Sequence, residues 1–81
     1  MKVEVLFFAR LKEIFGESSR WVHVEEGLSV HGLLQILSHE SEELLLHKIP
    51  LVYAVNEDFA EGDRILKDQD TLAIMTPVSG G

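Results

Sequence analysis

Apolar and polar residues alternate at the start of the chain: in KVEVLFF, Val3, Val5 and Phe7 share one side and Glu4, Leu6 and Phe8 the other. Period two in strand-forming residues predicts a β-strand whose two faces are both partly apolar. The rhythm then changes. In ARLKEIF, Leu11, Ile14 and Phe15 fall at helical spacing and Gly16 stands where a helix can end, so a short helix is expected. SRWVHVEE alternates again, with Trp21 and His23 on one side and Val22 and Val24 on the other. This predicts a second strand, antiparallel to the first across the short connection.

After Gly27, the Ser29 hydroxyl is suited to accept from an otherwise orphan amide in the first turn of a helix. Val30, Leu33, Leu34 and Leu37 then form one apolar stripe, which marks the main helix. SEELLLHKIP predicts a short second helix opened by Ser41 and stopped by Pro50. LVYAVN reads as a strand, Glu57-Asp58 falls where a hairpin turn belongs, and Phe59-Ala60 begins the return. GDRILKDQD is loop and turn. TLAIMTP is the last strand, with Leu72, Ile74 and Thr76 on one face and Ala73 and Met75 on the other.

One helix set between strand pairs, with a last strand able to lie beside the first, predicts an α+β ubiquitin-like β-grasp. Its sheet would be mixed, of four to five strands, packed on one main helix. The competing ferredoxin-like βαββαβ order is disfavoured because the first helix is too short for that crossover. The expected organisation is one domain over residues 1–77 and a flexible Gly-Gly tail over 78–81.

Composition narrows the chemistry. Hydrophobic residues make up 46% of the 81 and charged residues 26%, an ordinary globular balance. Fourteen acidic against seven basic side chains give a formal charge of −7, which a nucleic-acid backbone would repel. No apolar run approaches the ~20 residues that span a bilayer. The expected protein is therefore soluble and cytoplasmic, with neither nucleic acid nor membrane as partner. Cysteine is absent, which removes disulfides and thiolate chemistry.

The polar constellations are weak as sites. His23, His31, His39 and His47 recur every eight residues, but eight residues of helix rise about 12 Å, too far for two imidazoles to share a metal. Asp68 and Asp70 could hold a cation, yet no calcium-loop spacing accompanies them and a turn before a strand suits them better. Gly62 before Asp63 is a turn signal. No metal is expected, and no active site within this chain.

Apolar surface is what remains. If Val3, Val5, Phe7, Leu72 and Ile74 face the helix, then Leu6, Phe8 and Met75 lie on a sheet face that the short chain has nothing left to cover. Such a face marks a binding surface or closes a dimer. Phe59 borders it, although alternation leaves open which way its ring points.

The chain closes on TPVSGG. With VLFFARLKE at its start, AVN at 54–56 and LKDQDTLAIMTPVSGG at its end, it resembles over its full length the small subunit of molybdopterin synthase, one of the ubiquitin-like sulfur carriers. Gln69 departs from the glycine common in that family's turn, where a left-handed residue would cost on the order of 1 kcal/mol.

The resemblance implies a mechanism. An E1-like adenylyltransferase would use ATP to form an acyl-adenylate at Gly81, and a sulfur donor enzyme would convert it to a thiocarboxylate. The tail would then enter the large synthase subunit, in a heterotetramer of two small and two large subunits. There it would give sulfur to a cyclic pyranopterin phosphate, building the molybdopterin dithiolene. The chain would bind no cofactor and catalyse nothing alone, the catalytic residues belonging to the large subunit. Gly80 and Gly81 would thread a narrow channel, while Phe8, Phe59, Met75, Pro77 and Val78 would contact partners. The alternatives are a thiamine-pathway sulfur carrier and a ubiquitin-like modifier conjugated to proteins through Gly81.

Overall fold

The computed structural model describes residues 1–40 and 50–77. Its elements are β1 (Lys2–Phe7), α1 (Arg10–Phe15), β2 (Ser19–His23), α2 (Val30–Ser38), β3 (Val52–Val55), β4 (Asp58–Ala60) and β5 (Thr71–Met75). They form a five-stranded mixed sheet in the order β2-β1-β5-β3-β4. The last strand lies parallel to the first, in the register Phe7↔Ile74, and the other pairings are antiparallel. This is the β-grasp that the element order predicts. The expected helix from Ser41 to Pro50 falls, but for Pro50, outside the described residues.

The side chains that alternate toward α2 make the core. Val3, Val5, Phe7, Val55, Leu72 and Ile74 from the sheet meet Val30, Leu33 and Leu37 from α2, together with Leu11 and Leu66, all buried. Each contributes about 1.5–3 kcal/mol by leaving water, which is why the alternation and the helical stripe are the sequence's strongest signals. α2 starts as expected: the Ser29 hydroxyl accepts from the Gly32 N–H at 3.1 Å.

Arg20 seals one end of this core. Its guanidinium lies 5.8 Å from the Phe7 ring centre and 5.7 Å from that of Phe15, two rings that stack at 4.5 Å. It pairs with Glu17 and Glu40, each at 2.6 Å, and so ties β2 to the end of α2.

Two reversals place residues that matter later. Ala9 has φ 50 and ψ −123, the first-position geometry of a type II′ turn, and the Leu11 N–H closes that turn onto the Phe8 carbonyl at 3.0 Å. The turn ends β1 at Phe7 and sends Leu11 into the core while Phe8 stays outside. The β3–β4 turn sits one residue earlier than the expected Glu57-Asp58. Asn56 and Glu57 have φ of 51 and 73, and Asp58 already pairs with Val55. A two-residue turn with both φ positive matches strand twist, and Asn56 tolerates that geometry, so the reversal centres there. Gln69 does take the left-handed geometry, with φ 71, and its N–H donates to the Lys2 carbonyl at 2.7 Å.

Candidate docking groove at the root of the tail

Among the described residues the sheet carries helix on one face, so the residues between the core positions form the other face. Register aligns them in rows: Leu6 beside Ala73, Ala73 beside Ala54, and Ala54 beside Phe59. The next row pairs Met75 with Val52. Continuing the β1–β5 register by one step puts Phe8 alongside Met75, and the Phe8 N–H donates to the Ile74 carbonyl at 3.3 Å. Leu6, Phe8 and Met75 therefore occupy the open face, as the alternation predicts.

Phe59 points outward onto this same face and is 82% exposed, a large cost in hydrated apolar surface for one ring. Beside it runs an apolar groove lined by Val52, Phe59, Met75, Thr76 and Pro77. Three of the expected contact residues, Phe59, Met75 and Pro77, are thus brought together at the end of β5. Phe8, 46% exposed, shares the face but is not among the lining residues. Val78, Gly80 and Gly81 lie outside the described residues.

Val52 and Thr76 are groove residues that the sequence reading missed. Val52 alternates with Tyr53 in an ordinary strand pattern, and only the pairing of β3 with β5 shows that it stands against Met75. The far edge of the open face differs in character. There Trp21, 47% exposed, sits opposite Glu4 with the Lys2 ammonium 4.8 Å from its ring centre. Glu57, Asp58 and Glu61 are exposed around the Phe59 hairpin.

The polar candidates resolve into structure. Asp68 accepts from the Lys2 N–H at 2.8 Å, and that bond above all holds its carboxyl below the usual carboxylate range. Asp70 accepts from the Lys67 N–H at 2.7 Å, as turn residues do. His23, His31 and His39 are exposed. Among the described residues, no three His, Cys, Asp or Glu side chains are grouped closely enough to hold a metal ion. None of the helices among them is long and apolar enough to cross a membrane.

This geometry has relatives. A molybdopterin synthase sulfur carrier subunit from Mycobacterium tuberculosis is 33% identical over 100% of this chain and 99% of its own. A chain in a protein–protein complex of subunits 1 and 2 of molybdopterin-converting factor from Helicobacter pylori superposes with a TM-score of 0.69, 28% identity and full coverage of both chains. Small archaeal modifier protein 1 from Methanosarcina acetivorans superposes with a TM-score of 0.78 at 26% identity, over 99% of this chain and 96% of its own. The profile of the ThiS family matches residues 5–81, and the chain belongs to the ThiS family.

Proposed function

We propose that this chain is the sulfur carrier subunit of a molybdopterin synthase. The observation that carries the reading is the end-to-end match to sulfur carrier subunits, in a fold whose open apolar groove lies at the root of the tail. The tail supplies the chemistry. A carboxylate with a pKa near ~3.5 is anionic at neutral pH and a poor electrophile, so it must be activated before sulfur can replace oxygen. In the first step the Gly81 carboxylate attacks the α-phosphate of ATP on an E1-like adenylyltransferase and pyrophosphate leaves. Sulfide-level sulfur supplied by the donor enzyme then attacks the acyl carbon, its new C–S bond replacing the C–O bond to AMP, which leaves, and a thiocarboxylate remains. The large subunit, which holds the catalytic residues in a heterotetramer with two copies of this chain, accepts that tail and directs its sulfur to the cyclic pyranopterin phosphate.

The residues present suit this work. Pro77 stops β5, and the four residues beyond it extend at most about 14 Å, enough to reach into a neighbour's pocket. Gly80 and Gly81 lack Cβ atoms and pass where side chains would not. Phe8, Phe59 and Met75, with Pro77 and Val78, form the apolar contact, and the net charge of −7 steers the chain toward basic partners.

The test is the intact mass of the chain isolated from cells that make molybdopterin. Replacement of one oxygen by sulfur at Gly81 is the expected result. The likeness to an archaeal modifier protein favours one second reading, conjugation of Gly81 to lysines, which would appear instead as a ladder of conjugates lost when Gly81 is deleted.

A further inference from the structure

Two stretches that stand out in the sequence, AVN at 54–56 and KDQD at 67–70, meet in the fold. Asn56 Nδ2 donates to Asp70 Oδ1 at 2.8 Å, and Asn56 Oδ1 accepts from the Thr71 N–H at 2.9 Å. The Asn56 N–H donates to the Thr71 carbonyl at 2.8 Å. The second Asp70 oxygen accepts from the Lys67 N–H at 2.7 Å. Asp70 is only 8% exposed, and a carboxylate so placed needs both oxygens engaged, as they are here. One side chain thus joins the tip of the β3–β4 hairpin to the start of β5.

This clasp closes one end of the β3–β5 ladder, and the groove opens at the other. The register runs from Val55↔Leu72 beside the clasp to Val52↔Met75 in the groove. Val52 and Phe59 come from the hairpin, whereas Met75, Thr76 and Pro77 come from β5 and its exit. The groove therefore exists only while two elements keep one alignment, and a slip of one residue would carry Val52 to the opposite face. The turn itself does not need the Asn56 side chain. Glycine adopts the φ of 51 more readily than asparagine, so the amide group is an addition to the reversal.

We infer that the Asn56–Asp70 clasp is a positioning device for the docking groove, keeping Val52 and Phe59 of the hairpin aligned with Met75 of β5 so that a partner meets a formed surface. The inference rests on the docking reading given above, and it assigns Asn56 and Asp70 a role one step removed from the contact.

The test uses the full chain with Asn56→Gly, Asn56→Asp and Asp70→Asn, and with Phe59→Ala for reference. Two quantities are read at a temperature where circular dichroism shows every variant folded. These are the nuclear Overhauser contacts between the side chains of Val52 and Met75, which face each other across β3 and β5, and the Kd for the large subunit. Asn56→Gly should weaken those contacts and raise Kd by about tenfold, whereas a merely stabilising role would leave both unchanged in folded protein. Asn56→Asp should repeat the defect at neutral pH, where two carboxylates face each other. Acidification should restore its Val52–Met75 contacts, because one protonated carboxyl can donate to its neighbour. Should Asn56→Gly not fold, Asp70→Asn carries the same reading, since its amide cannot accept from both Asn56 and Lys67. Unchanged Val52–Met75 contacts in the folded clasp variants would overturn the inference. Weakened contacts with an unchanged Kd, matched by an unchanged Kd in Phe59→Ala, would instead support the clasp and overturn the docking reading.

Discussion

The two faces of the sheet are built from alternate residues of the same strands, and they meet different fates. Toward α2, Val3, Val5, Phe7, Leu72 and Ile74 are buried. Away from it, Leu6, Val52 and Met75 are half-buried and Phe8 and Phe59 exposed, although their side chains are no less apolar. Strand propensity cannot explain the second set, since polar residues would serve an open face as well. The first set is there because the fold requires it. The second is the surface that the proposed function assigns to a partner, and on that reading the division separates stability from function residue by residue.

The sharpest way to break the comparison is to place a charge on each side of it. Phe7→Asp should unfold the domain, and even Phe7→Ala should cost about 3–5 kcal/mol by thermal denaturation. Phe8→Asp should leave the melting temperature nearly unchanged and weaken binding to the large subunit. The opposite pattern would reverse the inside-outside assignment of β1. Arg20→Ala comes next, because it removes two ion pairs and the cation over Phe7 and Phe15. A loss of about 1–2 kcal/mol is expected, with little effect on the partner complex measured in folded protein.

Smaller effects sharpen the picture at the turns. Gln69→Gly relieves a left-handed residue and should raise stability by less than about 1 kcal/mol, the lost side-chain bond to Asp68 offsetting part of the gain. Asp68 governs a slight pH dependence. Its carboxyl is held low in the folded chain, so it contributes stability above its unfolded pKa and loses that contribution as pH falls through the folded value. Acid titration of Asp68→Asn should accordingly show a shallower decline below the carboxylate range than the parent chain.

Much of this was legible in the residues. Alternation in β1, and in β5 as far as Met75, separates core from open face correctly, because a buried face demands period two. Thr76, expected on the Leu72–Ile74 face, lies past the end of β5 and lines the groove. Ser29 marks the start of α2 through a bond that any helix needs. The β3–β4 turn was displaced by one residue for a local reason. Asn56 is followed by Glu57 and not by the glycine that usually announces such a turn, and nothing in Glu57 declares a φ of 73. Val52 and Thr76 were not legible as groove residues, since their place depends on the pairing of two strands separated by a loop. The same holds for the Asn56–Asp70 clasp, which joins residues fourteen positions apart.

In the proposed function the open face brings the chain to its partner and the Gly81 carboxylate does the chemical work. The most direct measurement compares the parent chain with one carrying a single residue added after Gly81, each assayed for molybdopterin formation with the activating enzyme, the sulfur donor and the large subunit. The extended chain should fold, keep much of its affinity for the large subunit through the Phe59–Met75 groove, and transfer no sulfur, because the reacting group no longer stands where the channel ends. Sulfur transfer at the parent rate by the extended chain, with its intact mass showing that no protease had trimmed it, would contradict the account.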